Sequence, residues 1–215
     1  MVLNFLSSAL WFRGFPDQAM RRSCEALQMA RDSRSSPLLS VVLIFAADFF
    51  IRYGEEDRLR ESIETLAAVA AELEPTPAVP PLIEIRKGWL LAESGELQKG
   101  IDTIRNGIAR LLATGCIYHD SFHRALLALA YLRDNQVDNA LGSLDDALRF
   151  VEQTGERFNE AELHRLRGEL LLARGRASDK EEMQGCFRKA IEIARGQDAK
   201  SWELRATMSL ARLLA

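Results

Sequence analysis

The chain has 215 residues, 47% of them hydrophobic and 27% charged, with a formal net charge of −3. That length buries a sizeable core, as one elongated domain or two small ones. The weakly acidic balance lacks the clustered basic footprint that phosphate contact requires, which argues against nucleic-acid binding by this segment.

The chain enters an apolar helical pattern at once (Val2, Leu3, Phe5, Leu6, Leu10), without the basic start and cleavage site of a signal peptide. The longest apolar run, Leu38 to Ile51, is broken by Ser40 and Asp48 and reads as too short and too polar to span a bilayer. Helix-breaking stretches fall at Arg34–Pro37, Glu74–Pro81, Gly115–Asp120 and Gly196–Lys200. The sharpest holds Pro75, Pro77, Pro80 and Pro81 and is expected to be a loop between units. The chain stops inside another helical pattern (Leu210, Leu213, Leu214), so it reads as a piece of a longer protein. Cys24, Cys116 and Cys186 lie far apart with no CxxC pair, as reduced thiols of a cytoplasmic protein do.

A period runs through all of this. Short turns follow apolar helical runs at Gly14, Gly54, Gly95, Asn135 and Gly175, at intervals of 40, 41, 40 and 40 residues. Seven positions before each turn stands a small residue (Ser7, Ala47, Gly88, Ala128, Gly168), and four before it a larger one (Leu10, Phe50, Leu91, Tyr131, Leu171). Five positions after it come Ala19, Leu59, Gly100 and Ala140, and seven further on Ala26, Leu66, Gly107 and Ala147. Small residues let antiparallel helices approach, and larger ones fill the space beside them. Glycine, or next best asparagine, ends the first helix in a left-handed conformation. Asp17, Glu55, Glu56 and Glu96 suit the start of the second. In the fifth unit the matching position is Met183, so Arg176–Lys180 carries a three-residue insertion.

The expected fold is an all-α superhelix of about five helix hairpins of roughly 40 residues. The units fall near 1–36, 37–76, 77–117, 118–157 and 158–198, with a final helix over 201–215. The small–large–Gly–Ala pattern resembles the tetratricopeptide repeat (TPR), whose usual unit is about 34 residues; HEAT and armadillo repeats, with periods of about 40 to 47, remain the alternative.

A more specific resemblance rests on Gly14–Ala19, Gly88–Ala92, Thr154–Leu172 and the ending Ala199–Leu214 with its Ser201–Ala206 core. These resemble the C-terminal region of large bacterial signalling proteins. In that family a class III adenylate/guanylate cyclase or a winged-helix DNA-binding domain precedes an AAA/NACHT-like ATPase and a tetratricopeptide-like tail. The resemblance implies that this chain is the tail, with the family's catalytic, nucleotide and DNA-binding motifs upstream. The long proline-rich second linker and Phe49-Phe50 depart from the pattern.

No GxxxxGK[ST], HExxH, GxSxG or GxGxxG is present, and no enzyme, cofactor or metal is expected. Cys116, His119, Asp120 and His123 have metal-like spacing. The plainer reading makes them a helix start capped by Asp120 or Ser121, with both imidazoles partly solvated. His164 is expected to pack within its repeat, and the clusters Asp145-Asp146, Arg21-Arg22 and Arg165–Arg167 to lie on solvated faces.

The first helix of each unit should line a concave groove, the surface such solenoids use for binding. The register places Asp48, Arg52, Arg86, Trp89, Glu93, Leu129, Arg133, Arg165 and Glu169 there. Arginines beside a tryptophan suit a carboxylate or small anion. The expected function is a non-catalytic interaction module whose partner is a protein or peptide, its own upstream ATPase or output domain included. The alternative is a small-molecule inducer sensor using the same groove.

Overall fold

A computed structural model describes residues 2–73 and 76–214. Eleven α-helices and no strands occur among them: α1 (Val2–Phe12), α2 (Pro16–Asp32), α3 (Ser36–Tyr53), α4 (Glu56–Glu72), α5 (Val79–Glu93), α6 (Leu97–Ala113), α7 (Asp120–Arg133), α8 (Val137–Thr154), α9 (Glu160–Arg174), α10 (Lys180–Gly196) and α11 (Lys200–Leu214). Consecutive helices pack as five hairpins, and α11 follows alone.

The turn logic holds in detail. Gly14, Gly54, Gly95, Asn135 and Gly175 all have positive φ, between 61° and 94°. In the first four units the residue after the turn donates its backbone N–H to the carbonyl of the large residue: Phe15 to Leu10, Glu55 to Phe50, Glu96 to Leu91 and Gln136 to Tyr131, at 2.8–3.0 Å. These 6→1 bonds satisfy carbonyls that the helix end leaves orphaned. The three-residue insertion of the fifth unit is a single 3-10 turn, Ala177–Asp179. No side chain caps α2, α4 or α6 by hydrogen bonding, so the acids near those ends act through charge alone.

Close packing explains the small residues. A Cβ added at Gly88 would lie 2.7 Å from Ile104 Cγ1, and one at Gly168 2.5 Å from the Phe187 ring. Ala19, Ala47, Ala128, Ala140 and Ala147 are buried at the matching positions.

Three local expectations change. Val79–Pro81 belong to α5, whose first turn tolerates proline because its N–H groups have no helical partner anyway; Pro75 lies outside the described residues. Helix α3 is long and apolar enough to cross a membrane by length and composition. Its apolar side chains are spent inside the fold, where Val42, Leu43, Ala46, Ala47, Phe49 and Phe50 are buried. The α7 start is set by His119 in a left-handed conformation (φ 50°), not by an Asp120 or Ser121 cap, and no side chain caps it.

The first helices, α1, α3, α5, α7, α9 and α11, form the inner layer, and the superhelix comes back on itself. Trp202 of α11 packs edge-on against Trp11 of α1, with ring centroids 4.6 Å apart, and also meets Phe12. Ser201 donates to the Trp11 carbonyl, and Arg13 pairs with Asp198.

Candidate functional site

Because α11 meets α1, the inner layer surrounds an interior that is largely filled. Phe45, Tyr118, His119, Phe158 and Phe12 form a chain of aromatic contacts across it, with centroids 3.9–6.4 Å apart. The residues expected on an open concave surface divide into three groups.

The first group is architectural. Asp48 and Arg86 are 1% and 0% exposed, and Arg86 Nη2 donates to Asp48 Oδ1 at 2.5 Å. Arg86 also donates to the Leu82 carbonyl at 2.7 Å and the Ile44 carbonyl at 3.4 Å. His119 Nδ1 and the Tyr118 hydroxyl reach the other carboxylate oxygen, Oδ2, at 3.1 and 3.3 Å. Burial raises the Asp48 pKa, but Arg86 and His119 outweigh it and hold the carboxyl below the usual range. Burial, then the Asp48 charge, pushes the Tyr118 phenol up. His123 was expected to be partly solvated; it is fully buried, with neither ring nitrogen partnered. Burial, reinforced by Arg86, pushes its pKa down to about 3, so it is neutral. Among the described residues no group of three or more His, Cys, Asp or Glu has metal-holding geometry.

The second group ties α9 to α11. Arg165 makes a bidentate pair with Glu162 at 2.8 Å and reaches Glu169 at 3.1 Å. Ser209 donates to Glu169, Arg212 pairs with the same carboxylate at 3.2 Å, and Arg205 pairs with Glu162 at 3.0 Å.

The third group lines a half-enclosed cavity of about 420 Å³ within the inner layer. Its apolar wall includes Phe50, Leu59, Trp89, Phe122, Leu126, Leu129, Leu166 and Trp202. Its polar lining holds Arg52, Glu93, Arg133, Asn159, Glu162 and Arg205, with Glu55 and Glu56 towards the outer edge. Glu93 and Arg133 pair at 2.6 Å, and Arg133 lies 4.9 Å from the centre of the Trp89 ring. Arg52 differs from every other charged group here. Its guanidinium lies 4.4 Å from the Phe122 ring centre and 5.5 Å from that of Phe158. Its Nε and Nη2 are shut off from solvent without a hydrogen-bond partner. Burial lowers its pKa, and the Asp48 charge only partly offsets this. Asn159 Nδ2 and Trp202 Nε1, on residues 1% and 2% exposed, are also unpartnered and belong to the same cavity lining.

Arg52, Trp89, Glu93 and Arg133 were among the expected residues, and the fold brings them together; Asp48, Arg86, Arg165 and Glu169 serve the ion-pair clusters. Asn159, Glu162, Trp202 and Arg205 were missed, although all four sit in stretches that carried the family resemblance. A register signal for Arg52 existed. Two positions before successive turns stand Phe12, Arg52, Glu93 and Arg133, so Glu93 has an arginine on each side and serves only Arg133.

No family model matches the chain. An uncharacterized protein of Rhizobium meliloti (strain 1021) is 31% identical over 131 residues, covering 59% of this chain and 12% of the relative; the match takes in about one eighth of that relative's length. Among solved structures, BtubC (BKLC) from P. vanneervenii aligns with a TM-score of 0.60 at 15% identity, over 89% of this chain and 86% of that one. A Podosopora anserina putative kinesin light chain with nearly identical TPR-like repeats aligns with a TM-score of 0.52 at 16% identity, over 91% and 95%. Identities this low speak to fold alone. The fold is an all-α, TPR-like superhelix.

Proposed function

We propose that the chain is a non-catalytic, regulatory receptor module of a cytoplasmic bacterial signalling or transcription-regulating protein, and that it receives a small molecule in the central cavity. The observation that carries this reading is the cavity itself. At about 420 Å³ it falls in the range of small-ligand pockets, roughly 300–1,000 Å³. A peptide would need an open channel, and aromatic side chains and the Asp48–Arg86 pair occupy that space.

The cavity also suggests how binding is transmitted. Its wall runs from α3, α4 and α5 through α7 to α9 and α11, and Trp202 belongs both to that wall and to the contact with α1. A ligand that touches both ends of that wall binds the closed superhelix better than an opened one and shifts the equilibrium towards closure. The ends of α1 and α11 would then present a different surface to a neighbouring ATPase or output domain.

The test is a chemically diverse small-molecule panel read by thermal unfolding and tryptophan fluorescence. A true ligand at 100-fold its Kd adds about 2.7 kcal/mol, several degrees of Tm. If no small molecule shifts either signal while peptides bind, the receptor reading fails.

Protein capture is the second reading. It is favoured by apolar side chains exposed on α1 (Val2, Phe5, Leu6) and α11 (Leu204, Met208, Leu214). A partner covering those faces would protect α1 and α11, but not α5 and α7, from amide exchange.

A further inference from the structure

The unpartnered polar atoms around the cavity are all of one kind. Arg52 Nε and Nη2, Asn159 Nδ2 and Trp202 Nε1 are donors, and no unpartnered acceptor belongs to the same lining among the described residues. Three residues from three parts of the chain therefore ask for the same thing, an acceptor. A neutral polar ligand would answer Asn159 and Trp202 but leave the arginine charge uncompensated. The other lining charges are already committed: Glu93 with Arg133, Glu162 with Arg165 and Arg205, and Glu55 with Arg58. Among the described residues only Glu56 of this lining stands exposed and free of an ion pair, at the outer edge. One unmet positive charge, inside a wall of Trp89, Phe122, Leu126, Leu166 and Trp202, sets the size and sign of what fits.

We infer that the cavity takes a small monocarboxylate with an apolar or aromatic body, its two oxygens seated on the Nε–Nη2 edge of Arg52, with Asn159 and Trp202 as further donors. That edge of a guanidinium is a planar fork that matches a carboxylate bidentately. Arg52, Asn159 and Trp202 line the cavity, but their unpartnered nitrogens are closed off from solvent as they stand, so contact requires Arg52 to turn from the Phe122 ring it covers. No hydrogen bond from Nε or Nη2 is lost in that turn. A dianionic phosphate fits less well, because Glu162 and Glu93 stand in the same lining and repel the second charge.

The inference rests on the receptor reading and deepens it, and the test separates the two. Phenylacetate, octanoate, the neutral phenylacetamide and phenyl phosphate are titrated into the full chain by calorimetry and tryptophan fluorescence. The proteins are wild type, Arg52→Met and Trp202→Phe. In wild type, the carboxylates bind at least tenfold tighter than the amide, and phenyl phosphate binds more weakly than phenylacetate. Arg52→Met abolishes the preference for acid over amide while leaving amide binding in place. It also melts at a higher temperature without ligand, because methionine still packs on Phe122 and Phe158 while two shut-off donors without an acceptor are removed. Trp202→Phe keeps the preference and weakens all probes together. Equal binding of acid and amide to wild type overturns the monocarboxylate assignment, and so does tighter binding of phenyl phosphate. A folded Arg52→Met that still prefers the acid, or that melts lower than wild type, removes Arg52 as the anchor. Failure of every probe, the neutral amide and the wider panel included, counts against the cavity as a receptor rather than against the ligand class.

Discussion

Asp48 and Arg52 are one turn apart on α3, and each faces the interior of the superhelix, yet their surroundings differ in kind. Asp48 is met by a guanidinium, an imidazole and a phenol. Arg52 is met by two aromatic faces, and its Nε and Nη2 have no acceptor. A buried charge whose partners are all present is part of the scaffold. One that folding leaves unmet stores a cost that a ligand can relieve, and it sits where ligands fit. The same helix thus builds the frame with one residue and the candidate site with the next one along its face.

The comparison breaks most visibly at the frame. Arg86→Met leaves Asp48 buried and charged, and the expected loss is about 3–5 kcal/mol, read as a lower urea midpoint. Asp48→Leu combined with Arg86→Met should recover most of that loss, since an apolar pair of similar volume carries no desolvation cost. A double variant as unstable as the single would mean that the pair holds the fold by more than mutual compensation.

Acid sharpens the contrast next. His123 is neutral in the fold, with a pKa depressed from 6.5 to about 3. Below pH 6.5 the unfolded chain takes up a proton there that the folded chain does not. The stability this group contributes is therefore complete above pH 6.5 and is lost as pH falls towards 3, at about 1.4 kcal/mol per pH unit. Asp48, also depressed, adds its own loss below its unfolded value of 3.8. Urea midpoints between pH 7 and 4.5 should fall in wild type and fall less in His123→Leu; equal slopes would mean that His123 protonates in the folded state.

Arg52→Met tests the other side of the comparison, with its rise in Tm opposite in sign to the Arg86→Met loss. The smallest effect belongs to the solvated face. Arg31 and Glu61 pair at 2.7 Å, but their side chains are 41% and 64% exposed. Arg31→Ala should change stability by less than about 1 kcal/mol, and less still in high salt.

Most of the scaffold was legible because it depends on local rules. Gly14, Gly54, Gly95, Asn135 and Gly175 announce left-handed helix ends, and Gly88 and Gly168 announce close approach, wherever in space the helices go. Even the three-residue insertion of the fifth unit shows in a count of residues, although only the structure makes it a 3-10 turn. The prolines misled for a local reason too: Pro80 and Pro81 read as loop residues, although a helix's first turn accepts them.

The candidate site was half legible. The inner register named Arg52, Trp89, Glu93 and Arg133, but equally Asp48, Arg86, Arg165 and Glu169, and periodicity cannot tell a groove residue from a buried ion pair. The sequence by itself determined the period, the hairpins and the inward face of each first helix, because turn chemistry and helical spacing act within a few residues. Only the tertiary structure decided that α11 meets α1 through Trp202 and Trp11, residues 191 positions apart. That closure depends on the small rotation from each unit to the next, summed over five units. It turned an expected open groove into a largely filled interior with a cavity in it, and it left Arg52 Nε and Nη2 without an acceptor there.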